Sequence, residues 1–162
     1  IWGKFIHRSN IETITFEAGR TTHEDKYFLF EVLCRAKKVA ILNEQYYCYW
    51  TRANSITTKP FSQRWFDEYY FAEKIYSVIC SHKPEFEAEA RYQVLSVCYF
   101  LIRYMDQLKV SQQFSREYRV MCKRIRQIKI CDIWNMVAHQ RRLGIIIIKY
   151  FPPLYHLMKH VA

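Results

Sequence analysis

From residue 61 onward the sequence repeats one pattern: apolar side chains at three- and four-residue spacing, each run opened by a residue suited to start a helix. Ser62 precedes 63–80, where Trp65, Tyr69, Ala72, Tyr76 and Ile79 form one stripe. Pro84 stands at the head of 85–108, with Glu85, Glu87 and Glu89 at the end where a helix dipole favours anions. Ser115 is placed to cap a third helix over 116–128, and Asp132 a fourth over 133–142. Gly144 then precedes the run IIIIKYF, Pro152-Pro153 breaks the chain, and LYHLMKH follows. Such stripes are buried by packing helix on helix. With only three Gly and four Pro in 162 residues, a loop-rich all-β fold is excluded.

The first 60 residues read differently. VAIL (39–42) and QYYCYW (45–50) are β-branched and aromatic, the composition of strands. Ahead of them, DKYFLFEVLCRAKK carries Tyr27, Phe28, Phe30, Val32, Leu33 and Ala36 at helical spacing and closes on Arg35, Lys37 and Lys38, the charges a helix C-terminus favours. The expected fold class is therefore α+β, mainly α. A mixed α/β segment over 1–60 leads into an all-helical segment over 61–162.

A hydrophobic fraction of 51% and an aromatic fraction of 17% rule out disorder. The six cysteines form no CxxC pair, and most fall within apolar runs, which predicts reduced, buried thiols of a cytoplasmic protein. No HExxH, Walker A or GxGxxG pattern occurs, and no metal-ligand set stands out. The net charge of +10 is uneven: residues 1–60 carry +3, residues 61–110 carry −1, and residues 111–162 carry +8. The C-terminal third therefore predicts an anionic partner.

The stretch GRTTHEDKYF (19–28) sets three titratable residues, His23, Glu24 and Asp25, between a small polar loop and the first helical run. The acids suit the positive end of a helix, and a carboxylate at a loop-to-helix junction also suits proton transfer. The residues alone allow both roles.

The order of signals around that stretch carries a resemblance. Trp2-Gly3-Lys4, then Phe16-x-x-Gly19-Arg20, His23-Glu24-Asp25, Ala36-Lys37-Lys38, and finally Tyr46, Tyr47, Tyr49, Arg52, Ser55, Ile56 and Thr57 resemble the family 2 glycosyltransferases of GT-A fold, nearest to bacterial enzymes of capsular and other cell-surface polysaccharides. The match covers residues 1–60, as the C-terminal, acceptor-side part of a GT-A domain. The helices that follow resemble the variable C-terminal extension of such enzymes.

The resemblance implies an inverting transfer from a nucleotide-sugar donor to a glycan or lipid-linked acceptor, with Asp25 as catalytic base and Glu24 beside it. It places Trp2 and Lys4 near the acceptor, where an indole stacks on a sugar face and an ammonium meets hydroxyls or phosphate. It places Arg52 and Ser55 on a loop closing over the donor diphosphate, which arginine pairs well. The family's nucleotide-binding β/α units and its D-x-D motif, which holds Mg²⁺ or Mn²⁺ with the diphosphate, precede the matching segment. No Asp-x-Asp occurs in this chain. It is thus expected to be the C-terminal part of a longer enzyme and inactive alone. Gln63-Arg64-Trp65 lacks the spacing of the processive QxxRW motif and reads as a first helical turn.

Two readings of another class compete. KRIRQIK (123–129) and QRR (140–142) suggest a helical module tracking nucleic-acid phosphates, although the interleaved isoleucines fit an amphipathic helix better. A helical module for a protein partner would leave the ordered motifs of 1–57 unexplained. For the basic third, the expectation is docking at the inner face of the cell membrane, with the broken apolar run 143–158 lying in the interface.

Overall fold

The computed structural model describes residues 3–48, 50 and 60–158, with the side chains of 156–158 outside the description. The chain divides into two compact units, Ile1–Asp67 and Glu68–Ala162. It is mainly helical, and no strand occurs among the described residues.

The first unit is built around one helix, α1 (Glu24–Arg35), and a short 3₁₀ turn at Arg8–Asn10. Phe28 and Val32, one helical turn apart, bury against Ile14, with Ile6 and Ile11 packed around them. Phe16 stacks on Phe28 with ring centroids 4.7 Å apart, and Arg35 donates to Thr13 Oγ1 at 2.6 Å. After Ala36, which closes α1 by donating to the Val32 carbonyl at 3.0 Å, the chain runs without regular structure. The strands expected over 39–42 and 45–50 do not form at the described positions. A strand exists only by hydrogen bonding to a neighbour, and among the described residues no strand pairs with this segment. Ile41 and Trp50 are left 87% and 77% exposed.

The second unit is a helical bundle of α2 (Asp67–His82, its first residue shared with the first unit), α3 (Glu87–Gln107), α4 (Ser115–Gln127), α5 (His139–Tyr150) and α6 (Pro152–Met158). Its centre is α3, whose Val94, Leu95, Cys98, Leu101, Ile102 and Met105 are wholly buried at helical spacing. It packs on α4, which inserts Tyr118, Met121 and Ile125, and α4 packs on α5. Phe71, outside the expected stripe of α2, is buried in the core, whereas Tyr69 and Tyr76 of that stripe are only half-buried. Two ion pairs tie elements that are distant in sequence. Arg124 meets the Glu73 carboxylate through Nε at 2.5 Å and Nη2 at 3.1 Å, and Arg91, which also holds Glu87 within α3, meets Asp132 at 3.1 Å.

Several expectations for this half are corrected. Ser62 and Ser115 make no side-chain cap. Asp132 does not start a helix over 133–142: Cys131–Met136 is a 3₁₀ turn that ends in extended backbone at Val137, and α5 begins at His139. The break buries both Ile133 and Val137, and the Trp134 and Val137 carbonyls accept from Arg142 at 3.2 and 3.0 Å. Gly144 lies inside α5, where Tyr99 fills the space its missing Cβ leaves: a methyl there would stand 2.9 Å from the tyrosine ring. Within the apolar run 143–158, Ile145, Ile147 and Ile148 are buried in the bundle, whereas Leu143, Tyr150, Phe151 and Leu154 stay exposed. The cysteines are free thiols, but Cys34, Cys48, Cys80 and Cys131 are exposed and only Cys98 is fully buried: helical period carries Cys34 and Cys80 to outer faces, Cys48 lies in the irregular segment after α1, and Cys131 opens a 3₁₀ turn. Burial also pushes the Cys98 thiol well above its usual range, leaving it protonated.

Candidate active-site loop

The loop before α1 is built by one glycine, one arginine and one buried carboxylate. Gly19 turns the chain at φ 81°, a conformation that costs any side chain with a Cβ, and the Arg20 amide closes the turn on the Glu17 carbonyl at 3.4 Å. Asp67, only 5% exposed, is the anchor. One of its oxygens accepts from Arg20 Nη1 at 2.5 Å and the other from the Thr21 amide at 3.2 Å. Thr22 Oγ1 donates to the Arg64 carbonyl at 2.6 Å. A buried carboxylate needs a counter-charge and donors, and the loop supplies both. Residues 20–22 are thereby fixed on the 3₁₀ turn Gln63–Phe66 and the first residue of α2.

His23 follows in the left-handed region, φ 61° and ψ 6°, and gives the helix no side-chain cap. A non-glycine residue held there costs of order 1 kcal/mol or more and persists only where its surroundings impose it, commonly beside working residues. The bend delivers Glu24 and Asp25 onto the first turn of α1, where the amides of the helix end face anions. Both side chains are half-buried. Glu24 Oε2 is buried and accepts no hydrogen bond from the described residues.

The structure thus brings Glu24 and Asp25 together on one helical turn. Lys4 is exposed on the N-terminal segment, next to Gly3, which lies against Tyr47: a methyl on Gly3 would stand 3.8 Å from the tyrosine Cβ. Trp2, Arg52 and Ser55 lie outside the described residues. Among the described residues, no group of three His, Cys, Asp or Glu side chains is placed to hold a metal ion. Sequence reasoning missed Asp67. The signal was Arg20, a cation beside a glycine turn that needs a carboxylate partner; which of the chain's acids would provide it is a matter of tertiary folding.

No family model, curated protein or solved structure matches the chain.

Proposed function

We propose that the chain is the acceptor-side, C-terminal part of an inverting, GT-A-type family 2 glycosyltransferase, which moves a sugar from a nucleotide-sugar donor to a glycan or lipid-linked acceptor in cytoplasmic synthesis of a cell-surface polysaccharide. The observation that carries this reading is the clamped loop 19–25, which sets two adjacent carboxylates on the first turn of a helix behind a strained His23. A cap alone requires neither the clamp nor the strain.

In this reading Asp25 takes the proton of the acceptor hydroxyl as its oxygen bonds to the anomeric carbon, and the nucleotide diphosphate leaves from the opposite face. Glu24, beside Asp25 on the same turn, belongs to the substrate-binding residues. Lys4 and Trp2 belong to the acceptor side, and Arg52 and Ser55 close over the diphosphate. The donor's nucleotide and its divalent cation are held by β/α units encoded upstream. The exposed 39–50 segment supports the same reading, since Val39, Ile41, Leu42 and Trp50 are the apolar residues a sheet in those units would cover.

The first test is the gene. Upstream coding sequence of domain length with β/α alternation and an Asp-x-Asp motif is expected, and its absence refutes the proposal. In that longer protein Asp25→Asn should lower kcat by at least about 10²-fold with donor affinity unchanged, because asparagine keeps the shape without the base. Retention of more than about a tenth of kcat would leave Asp25 a helix-end charge only. The 162-residue chain by itself should show no micromolar binding of nucleotide sugars in calorimetry.

A further inference from the structure

The excess charge of the C-terminal third is not spread over the bundle. Part of it is used internally: Arg124 pairs with Glu73, Lys129 lies 3.7 Å from Asp132, and Arg142 donates to two carbonyls while stacking 5.1 Å over Trp134. Lys149 donates to the carbonyls of Arg126 and Ile128 at 2.6 and 2.7 Å, closing the C-terminus of α4. Of the remaining cations among the described residues, Arg141 is exposed on α5 and the other four collect on one line. Arg116, Arg119, Lys123 and Arg126 recur at three- and four-residue spacing along the exposed side of α4, opposite the buried Tyr118, Met121 and Ile125. Among the described residues none of the four has a carboxylate partner, and Glu117 is the sole acid on α4. The line is about 15 Å long at 1.5 Å per residue.

Beside this line a pocket of about 220 Å³ opens between α4, α5 and α6, lined by Arg119 and Arg126 together with Tyr118, Ile148, Pro152 and Tyr155. Its tyrosine walls are held from behind: both hydroxyls donate to Asp106, at 3.0 Å from Tyr118 and 2.9 Å from Tyr155. The pocket therefore has two cations at its edge and an apolar interior. The surface around it is apolar as well. Val120 stands within the basic line at 46% exposure, and Phe151 and Leu154, on either side of Pro152 and Pro153, are 56% and 46% exposed.

We propose that this face of α4 docks the protein on an anionic phospholipid surface, with one lipid phosphate seated between Arg119 and Arg126 and with Val120, Phe151 and Leu154 entering the interface. Charge complementarity selects an anionic partner, and the interleaved apolar side chains select a bilayer over a polynucleotide, whose phosphates give valine and leucine nothing to bury against. The attachment proposed is peripheral; no helix among the described residues is long and apolar enough to cross a membrane. It is reversible and salt-sensitive, as expected for a few interfacial cations and a small apolar area. The proposal does not depend on the transferase reading.

Co-sedimentation of the full 162-residue chain with vesicles decides it. At low ionic strength the chain should bind equimolar phosphatidylcholine–phosphatidylglycerol vesicles, not phosphatidylcholine alone, and salt should release it. The double variant Arg119→Gln/Arg126→Gln, with both side chains exposed, should keep its circular dichroism and lose about 30-fold in partitioning, about fivefold for each cation. The charge-matched control Arg8→Gln/Lys83→Gln should bind like the parent. Equal binding to both vesicle types, no binding to either, an equal loss in the control, or displacement from vesicles by duplex DNA would each overturn the proposal.

Discussion

The two units solve the burial problem to different degrees. In Glu68–Ala162 the core residues of α3 and α4 lose all contact with solvent, Leu101 and Ile125 among them, and cations close helix ends or pair across helices. In Ile1–Asp67 the core is Ile14, Phe28 and Val32, none of them fully enclosed, while Phe5 and Ile41 stand in water. A segment under about 70 residues has little area with which to offset chain entropy even when packed well. The first unit concentrates its few strong interactions on one loop, through Asp67 and Arg20, and the second distributes them over the bundle. Stability and the candidate chemistry therefore reside in different halves of the chain.

The largest effect that could break this contrast is dissection. Residues 68–162 expressed alone should unfold cooperatively on heating, followed by circular dichroism, while residues 1–67 alone should show little helix and no transition. A folded 1–67 would mean that its exposed apolar residues need no covering.

Point substitutions sharpen it. Leu101→Ala should cost about 2–5 kcal/mol in urea denaturation, since the site is enclosed on every side. Ile14→Ala, at the 8% exposed edge of the small core, should cost less than about 2 kcal/mol, because solvent and neighbours can close over the gap. Equal costs would put the two cores on the same footing.

The smallest effect is confined to alkaline pH. Burial, reinforced by the Asp106 charge, raises the Tyr118 and Tyr155 phenols, and burial with Glu73 raises Tyr69. The folded bundle keeps these protons while the unfolded chain releases them near pH 10, so above that pH the unfolded state binds fewer protons and stability falls. The stabilisation is intact below pH 10 and should drop by at most about 1.4 kcal/mol per pH unit for each phenol as pH rises further. Tyr118→Phe should flatten that slope in denaturation series, and an unchanged slope would remove Tyr118 from the account.

Much of the helical half was legible because its information is local. Apolar spacing located α2, α3 and α4 within a few residues, and Pro84 marked a helix start, since it forms the first turn ahead of α3. Propensity failed where a partner decides. VAIL is β-prone by composition, yet it forms no strand without a neighbour to bond to. Asp132 is a good cap by type, yet Arg91 and the burial of Val137 claimed that stretch for a 3₁₀ turn and an extended exit. The isoleucine run looked equally suited to a core or a membrane surface, since apolar character does not say which apolar medium receives it.

By itself the sequence determined that the chain is mainly helical, that its charge lies in the last third, and that Glu24 and Asp25 open a helix. Spacing and composition act within a turn or two of chain, and those properties need nothing more. Only the tertiary structure decided that Asp67 anchors the loop before those acids, that Arg124, Arg142 and Lys149 serve the bundle, and that Arg116, Arg119, Lys123 and Arg126 face outward beside a pocket. A charge acquires its role from what lies across from it, and residues 46 or 51 positions apart in the chain become neighbours only when it folds.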